Sequence, residues 1–436
     1  MLKEITIQNY KSIKDEIFFT MEADKDRVGE YNHHYININD NYILRTSSMY
    51  GPNGGGKSNI ISAIYMLKAI VIGSGFTTPT THIIKNIFSN DEIITETVFF
   101  INDKYEIGYN TKYKIQIIND TVYAPTPSFN HKPYFIYEEI TYRKKGDSEY
   151  KTLLIRQENG SIISEELNKA GTNTKVKLSQ GISVINHLFQ TYANTTVKLV
   201  MSLDVIKSLW NEINSIIRID TPRFISQDLL DIIKNNKDFI INILNNVDIK
   251  IKDINIYDSN TKSYPIYFTR EITINDNIIE KELPLIDESS GTARIFWMII
   301  EFISSINKNS IFICDDMNSY LHPKLFREII NLFNSDYNKK SQLIFNSHDI
   351  LNMDNQLFRR DEIWFVFRDN NYSTKVIPLS NIVNYKGEQV RKDAKYYKQY
   401  LEGKYGADPF IKKGFGWKWA LNNILNEILY VSISDN

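Results

Sequence analysis

Residues 42–72 read YILRTSSMYGPNGGGKSNIISAIYMLKAIVI, in which an apolar strand pattern, a glycine-rich turn and a buried helix pattern follow one another directly. This order is typical of the first β-α unit of an α/β sheet. Residues 290–346 then alternate helix, strand, helix and strand patterns, which predicts a parallel sheet. We therefore expect an α/β fold organised around the turn at 51–56.

That turn has the composition of a phosphate-binding loop. Its glycines allow backbone N–H groups to face phosphate oxygens, and the following helix adds its positive N-terminal end. Lys57 is expected to reach the terminal phosphates and to assist catalysis, and the Ser58 hydroxyl is expected to bind Mg²⁺. A flexible glycine turn is the alternative, which the flanking strand and helix disfavour. The predicted nucleotide-binding residues are Asn53, Gly54, Gly55, Gly56, Lys57, Ser58 and Asn59.

Acidic residues end a second apolar strand pattern at residues 311–316. Asp315 is the candidate magnesium ligand, and Asp316 is the candidate group that orients or deprotonates an attacking water. His348 follows the next apolar strand, QLIFNS, which should lie beside the first and bring an imidazole near the terminal phosphate. The simpler interpretation of the two acids is an ordinary polar turn after a strand, and the simpler interpretation of His348 is a surface histidine.

Small polar residues open the apolar helix ARIFWMIIEFISSI. Ser289, Ser290, Gly291 and Thr292 precede it, and hydroxyl groups at a helix N-terminus attract anions. On its own this pattern is an ordinary helix cap. Its position between the glycine loop and the acidic strand is what makes it a candidate functional element.

The remaining chain predicts three regions. Residues 95–156 carry β-branched and aromatic runs that indicate an antiparallel sheet, whereas 178–247 show helical spacing of apolar residues. We expect residues 1–175 to form the first part of the main domain, 176–250 a helical insertion and 251–436 the second part.

The stretch 414–433, GFGWKWALNNILNEILYVSI, has an apolar helical stripe typical of ordinary packing, with docking on a partner as the alternative.

Composition limits the classes of function. The net charge of −1 supplies no chain-wide attraction for nucleic acid or anionic lipid. The single cysteine, Cys314, cannot form an internal disulfide, and the N-terminal sequence lacks the apolar core of a signal peptide. No apolar run reaches the roughly 20 residues that span a bilayer, so we expect a cytoplasmic protein with no membrane contact.

Taken in chain order, four motifs resemble the Walker A, signature, Walker B and switch-histidine motifs of ABC-like ATPases. The resemblance implies an ABC-type ATPase head, in which a mixed sheet carries the P-loop beside an antiparallel β lobe. It also implies ATP and Mg²⁺ as cofactors, and a homo-oligomer of two or more heads in which the signature of one head contacts ATP held by another. The motifs are residues 51–59, 289–292, 315–316 and 347–349.

Within that superfamily the chain looks like the AAA ATPases related to the overcoming-lysogenization-defect group, including the ATPase subunit of PARIS-type anti-phage systems. The further similar segments are KEITIQNYKSI at 3–13, NSYLHP at 318–323, RDEIWFV at 360–366 and GKYGADPF at 403–410. The resemblance implies hydrolysis of ATP to ADP and phosphate, a separate effector of the Toprim nuclease type, and a phage protein or DNA as candidate trigger.

One position departs from the family pattern. Most relatives carry glutamate where this chain has Asp316, whose carboxylate is one methylene shorter. A displaced general base lowers the rate while leaving binding intact, so we expect slow hydrolysis. Two alternatives stay open: a nucleotide-gated scaffold or sensor with incidental hydrolysis, and an SMC-like DNA-repair ATPase.

Overall fold

The computed structural model describes most of the chain. The described residues are 1–25, 29, 31–73, 76–78, 84–118, 129–169, 177–192, 201–219, 227–257, 265–274, 277–305, 309–319, 321–383, 387–391 and 393–406. Tyr320 and the predicted C-terminal stripe at 414–433 lie outside them.

Nineteen strands and nine α-helices lie within these residues. The strands are β1 (Leu2–Gln8), β2 (Ile17–Thr20), β3 (Tyr35–Ile38), β4 (Asn41–Leu44), β5 (Thr46–Tyr50), β6 (Phe76–Thr78), β7 (Ile94–Ile101), β8 (Tyr105–Ile118), β9 (Phe129–Lys144), β10 (Lys151–Arg156), β11 (Ile162–Ile163), β12 (Ile216–Arg218), β13 (Asp253–Ile256), β14 (Ile266–Ile274), β15 (Asn277–Pro284), β16 (Ile311–Cys314), β17 (Gln342–Asn346), β18 (Ile363–Arg368) and β19 (Thr374–Pro378). The helices are α1 (Lys57–Ile72), α2 (Glu165–Lys169), α3 (Val184–Tyr192), α4 (Met201–Asn214), α5 (Gln227–Asn235), α6 (Lys237–Asn246), α7 (Ser290–Ser305), α8 (Pro323–Phe333) and α9 (Tyr396–Leu401). No helix among the described residues is long and apolar enough to cross a membrane.

A six-stranded sheet forms the centre of the fold, in the order β12-β16-β17-β5-β18-β19. Its first five strands run parallel, and β19 pairs antiparallel with β18. Every residue of β5, β16 and β17 is buried, as expected for strands covered on both faces. The predicted parallel sheet is confirmed, and the carboxyl ends of β5, β16 and β17 meet at one edge.

A second sheet has eight strands and is antiparallel throughout its main path, β11-β10-β9-β8-β7-β1-β2. The strands β1 and β2 pair as an N-terminal hairpin, with Ile5 opposite Phe19 and Ile7 opposite Ile17. The antiparallel sheet expected from residues 95–156 is also confirmed, because β7 to β10 pair in sequence. A separate three-stranded sheet, β13-β14-β15, precedes α7.

The two sheets enclose a common core. Residues of β1, β7 and α1 pack with Ile344 of β17, whereas the neighbouring Leu343 and Phe345 pack against α8 on the opposite face. Successive residues of a strand point to opposite faces, so β17 joins the two clusters. Each fully buried side chain of this size contributes about 1.5–3 kcal/mol, and α1 is thereby held firmly beneath the loop it follows.

The segment expected to be helical contains α3 to α6 and one strand that was not predicted. The pattern SLDVIKSLWNEINSII predicted helix through Ile217, but α4 ends at Asn214 and Ile216–Arg218 form β12. Ile216 pairs with Ile311 and Ile217 with Phe312 in the parallel sheet. The prediction was wrong there because pairing with a distant strand, which has no local sequence signal, overrides helical spacing.

Candidate nucleotide-binding site

The glycine loop lies at the carboxyl end of β5, between the ends of β17 and β18. β5 ends at Tyr50 and α1 begins at Lys57, so residues 51–56 form the predicted turn at the helix N-terminus. The first N–H groups of a helix have no partner within it, and they carry a partial positive charge. The loop therefore presents backbone donors where an anion would be stabilised.

Two glycines are required by close packing of this loop. Gly51 has φ 146°, and a Cβ there would lie 2.0 Å from the Val366 carbonyl oxygen of β18. Gly56 has φ 112°, and its Cβ would lie 2.2 Å from Thr374 Oγ1 of β19. The Thr374 hydroxyl also contacts Ser12 Oγ at 2.7 Å. The loop is thus seated against β18 and β19, which restricts its backbone to one path.

Lys57 is the buried cation of the loop. It is 5% exposed, and its ammonium donates hydrogen bonds to the carbonyls of Gly51 at 2.8 Å and Pro52 at 3.1 Å. Burial lowers the pKa of Lys57, and the carboxylates of Asp316 and Asp315 oppose that shift. The positive charge is therefore held inside the loop, with the two acids close enough to stabilise it.

Ser58 and Asp315 meet at the mouth of the loop. The Ser58 hydroxyl donates to Asp315 Oδ1 at 2.9 Å, and the Asn346 amide donates to the same oxygen at 2.5 Å. Hydroxyl and carboxylate oxygens are ligands suited to Mg²⁺, which usually takes one or two carboxylates, substrate phosphates and water. Among the described residues, no group of three or more His, Cys, Asp or Glu side chains is arranged to hold a metal ion without other ligands. This pair of oxygens therefore fits a magnesium ion shared with a nucleotide.

Asp316 and His348 face each other across the ends of β16 and β17. The closest approach is 3.5 Å between His348 Nε2 and Asp316 Oδ1, and both side chains are about half exposed. Burial and the nearby Lys57 ammonium lower the pKa of His348, while Asp316 and Asp315 act in the opposite direction. Asn318 Oδ1 accepts hydrogen bonds from the His348 backbone N–H and the Ser347 hydroxyl, each at 3.0 Å. The imidazole is thus anchored near the acids.

The predicted signature residues form the start of α7. Ser289 Oγ accepts the Thr292 backbone N–H at 3.1 Å, which is the helix cap expected as the simpler interpretation. Ser289 and Ser290 are exposed, and Gly291 and Thr292 are partly buried. The structure places this helix start at the surface, where a second molecule could reach it.

Several residues that shape the site were not predicted from the sequence. The side-chain oxygen Oδ1 of Asn346 accepts the Asp316 backbone N–H at 2.6 Å, and the Arg294 guanidinium of α7 donates to the Asp315 backbone carbonyl at 2.7 Å. Asn59, predicted to bind nucleotide, donates to Ser12 Oγ at 2.5 Å. Asn346 could have been found from the sequence, since it ends the buried strand that lies beside the strand of Asp315. Arg294 and Ser12 follow no recognisable local pattern.

The chain matches one family of known domains and is similar to several solved structures. Residues 47–354, well over half of the chain, match the family described as "AAA domain, putative AbiEii toxin, Type IV TA system". The comparison with curated proteins finds no match. Similar solved structures include the SMC head domain from Thermotoga maritima, with 14% identity, TM-score 0.36 and coverage of 86% of this chain and 98% of that chain. The Smc head domain from Pyrococcus furiosus bound to the C-terminal domain of ScpA has 12% identity, TM-score 0.37 and coverage of 86% and 95%.

The fold itself now agrees with the expectation from the motifs. A mixed sheet carries the loop of Lys57, an antiparallel lobe packs beside it, and helices α3 to α6 are inserted between its strands. This arrangement confirms the predicted α/β fold class. On the match across residues 47–354, this chain belongs to the AAA domain family of the AbiEii type.

Proposed function

We propose that this chain is an ATP-binding and ATP-hydrolysing subunit of a bacterial anti-phage defence system. The observation that carries the proposal is the 2.9 Å hydrogen bond between Ser58 and Asp315, which lie 257 residues apart and meet beside the Lys57 loop. A hydroxyl, a carboxylate and a buried ammonium in one place form the set of groups that a magnesium-bound triphosphate needs.

Each group has a separate role in this proposal. Lys57 binds the terminal phosphates, and Ser58 and Asp315 hold Mg²⁺, which neutralises charge on the phosphates when bound. Asp316 accepts a proton from the attacking water or orients it. His348, whose lowered pKa favours the neutral imidazole, lies beside Asp316 and is available to contact the terminal phosphate. The residues around the loop, Asn53 to Gly56 and Asn59, bind or position the nucleotide.

Assembly is the second part of the proposal. Ser289 and Ser290 are exposed at the start of a 16-residue helix, and such a helix start attracts anions. In a dimer or larger assembly of heads, these residues, with Gly291 and Thr292, would contact ATP bound to the neighbouring subunit. ATP would then join two subunits, and its hydrolysis would separate them.

The defence role rests on family likeness. The matched family is described with an AbiEii toxin of a type IV toxin–antitoxin system. The sequence also resembles ATPases related to the overcoming-lysogenization-defect group and PARIS-type subunits. We propose that the assembly responds to a phage protein or DNA and controls a separately encoded effector, of the Toprim nuclease type.

The decisive experiment measures hydrolysis and protection together. The purified chain should hydrolyse ATP slowly in a magnesium-dependent reaction, and Lys57→Ala should abolish turnover and ATP binding. Cells carrying the gene with its neighbours should lose phage protection with the same substitution. Wild-type turnover by the Lys57→Ala protein would refute the site. Failure of the neighbouring gene product to co-purify would refute only the effector role.

A nucleotide-gated scaffold is the second candidate. It is favoured by Asp316, which has the short carboxylate and a left-handed backbone, φ 48°, at the position proposed for the general base. If ATP only holds the assembly together, Asp316→Asn should remove turnover and leave ATP-dependent assembly and phage protection unchanged. Loss of protection with intact assembly would instead support a cycle that needs hydrolysis.

A further inference from the structure

Two exposed aromatic side chains, Phe88 and Tyr372, lie against each other on the surface of the protein. Phe88 is 55% exposed and Tyr372 is 63% exposed, and their rings stack with centroids 6.1 Å apart and an angle of 27° between the ring planes. Phe88 lies between β6 and β7, whereas Tyr372 lies in the turn between β18 and β19. We call these two residues the aromatic pair. Aromatic rings that are open to solvent are suited to binding a planar ligand.

The turn that carries Tyr372 is fastened to the glycine loop through Thr374. The Thr374 hydroxyl donates to the Gly55 carbonyl at 3.1 Å, and the Thr374 backbone N–H donates to the carbonyl of Ser12 at 2.9 Å. Tyr372 is two residues from Thr374, so its Cα lies within about 7 Å of a residue that contacts the loop. The Tyr372 ring is therefore carried at the edge of the candidate nucleotide-binding site.

Phe88 is fastened to the same place through Asn86, which is 1% exposed. The Asn86 side-chain oxygen accepts the Phe88 backbone N–H at 2.9 Å, and the Asn86 amide donates to the Lys11 backbone carbonyl at 2.7 Å. Lys11 precedes Ser12, whose hydroxyl accepts a hydrogen bond from the Asn59 amide at 2.5 Å. Two segments that are far apart in the chain are thus brought to one side of the loop.

The backbone at Tyr372 is held in an uncommon conformation. Its φ is 58°, in the left-handed region that is unfavourable for a residue with a Cβ. The turn is maintained by Asp369, whose carboxylate accepts the backbone N–H groups of Asn371 and Ser373 at 2.9 Å each. The Asp369 carbonyl accepts the Tyr372 N–H at 3.1 Å. Residues held in such conformations cluster at ligand-binding sites, where they fix the direction of a side chain.

The strand order of the central sheet determines which end of a nucleotide reaches the aromatic pair. The two acids and His348 follow β16 and β17, on one side of the loop strand β5, so the proposed function places the terminal phosphates there. β18 and β19 lie on the other side of β5, and β19 is three strand intervals, roughly 14 Å, from β17. A triphosphate that is bound across the loop therefore directs its nucleoside toward the turn of Tyr372.

We propose that the base of the bound nucleotide stacks on the aromatic pair of Phe88 and Tyr372. The inference rests on the proposed function, because it adds a base-binding surface to the same site. Since the two rings already contact each other, the base stacks on an outer face of the pair rather than between the rings. Every base has a π-face, and a purine offers the larger one. The pair thus supplies affinity for the base of a purine nucleotide, and the loop supplies affinity for its phosphates.

The test compares a non-hydrolysable ATP analogue with inorganic tripolyphosphate, which has the phosphates but no base. Both are titrated calorimetrically into the full-length chain with magnesium present. Phe88→Ala and Tyr372→Ala, introduced together, should weaken binding of the analogue roughly 5- to 100-fold, the range expected for loss of aromatic stacking on one base. Binding of tripolyphosphate should stay at the wild-type level. The exchange of Phe88→Tyr with Tyr372→Phe keeps both rings and should retain wild-type affinity for the analogue.

Tyr337→Ala is the control and should bind both ligands as the wild type does. Tyr337 is also an exposed aromatic residue, at 83%, but it precedes the amino end of β17, at the sheet edge opposite the loop. Equal weakening of both ligands in the double variant, or no weakening of either, would overturn the proposal. If the wild-type chain bound neither ligand, the nucleotide site itself would be refuted, and this inference with it.

A fluorescent base reports the stacking directly. The fluorescence of 2-aminopurine is quenched when this base stacks on another aromatic ring, so its ribonucleoside triphosphate should lose fluorescence when the wild-type chain saturates it. The double variant, saturated at higher protein concentration, should leave the fluorescence close to that of the free nucleotide. A purely structural role of the pair would change the affinity but not the fluorescence of the bound base. Equal quenching by both proteins at saturation would therefore overturn the proposal.

Discussion

The amide of Asn346 joins the ends of two neighbouring strands by binding Asp315 directly, with 2.5 Å between Nδ2 and Oδ1. Its carbonyl oxygen accepts the backbone N–H of Asp316 at 2.6 Å. One buried side chain therefore orients both acids that we propose for metal binding and water activation. This is possible because β16 and β17 are parallel neighbours, with Cys314 paired to Phe345.

Asn346→Ala should reduce ATP turnover by roughly 10- to 100-fold, as loss of a residue that orients a metal ligand typically does. The midpoint of magnesium activation should rise as well, and both are measured by phosphate release against magnesium concentration. Asn338→Ala is the control, since the Asn338 side chain is also buried but bonds, in the described part of the chain, to the Phe333 and Ser341 backbone carbonyls and the Ser341 N–H. Similar turnover losses in both variants would indicate general destabilisation instead.

Ser58→Ala should shift magnesium activation to higher concentration, because it removes the hydroxyl that bonds Asp315. Ser62→Ala, one turn further along α1, removes a hydroxyl that contacts Tyr10 and Lys11 instead. Titration of turnover with magnesium distinguishes the two variants. An unchanged midpoint for Ser58→Ala would remove Ser58 from the proposed metal site.

If the signature residues act between subunits, two inactive variants with defects in different motifs should recover ATP turnover when they are mixed. Lys57→Ala and Ser290→Arg proteins should each be inactive, but an equal mixture should recover about a quarter of the wild-type rate, because half of the dimers are mixed and each has one intact site. A mixture of Lys57→Ala with Asp315→Ala subunits should recover nothing, since each subunit then carries a defect in its own loop and metal site. Absence of recovery in the first mixture would argue that Ser290 does not act in trans.

Gly56→Ala should weaken ATP binding roughly tenfold, because a left-handed backbone and a Cβ 2.2 Å from Thr374 Oγ1 would displace the loop. Gly146→Ala provides the control: its φ is 91°, but a Cβ there meets nothing within 4 Å. Isothermal titration with a non-hydrolysable ATP analogue measures the difference. Wild-type affinity in the Gly56→Ala protein would show that the loop tolerates a shift.

Glu96 should make stability depend on pH. Burial raises the pKa of this β7 carboxyl to about 8, with Tyr113 opposing the shift only in part. The Glu96 carboxyl binds its proton more tightly in the folded protein than in the unfolded chain, where its pKa is 4.5. The stability that this proton contributes is fully present below pH 4.5 and is lost as the pH rises through 8. The loss is at most about 1.4 kcal/mol per pH unit.

Urea unfolding midpoints at several pH values between 5 and 9 measure this effect. Glu96→Gln should flatten the decline and should be more stable than wild type at the alkaline end. Glu92→Gln, at an exposed position before the same strand, should follow the wild-type profile. A Glu96→Gln protein with the wild-type slope would assign the pH dependence to other groups.

Local patterns in the sequence predicted most elements of this fold and the main groups of its candidate site. The strand, loop and helix at 42–72, the antiparallel run at 95–156 and the alternation at 290–346 were all predicted, because hydrophobic period and glycine position are local signals. Lys57, Ser58, Asp315 and His348 were found for the same reason, since each follows a recognisable strand or loop pattern.

The residues that support that site from distant parts of the chain could not be predicted from local patterns. Thr374 bonds to Gly55 across 319 residues, Arg294 of α7 donates to the Asp315 carbonyl at the end of β16, and β12 forms at Ile216–Arg218 because β16 lies beside it. Such contacts depend on pairing and packing between segments far apart in the chain. They produce no periodic pattern of apolar residues in either segment, so neither segment alone predicts them.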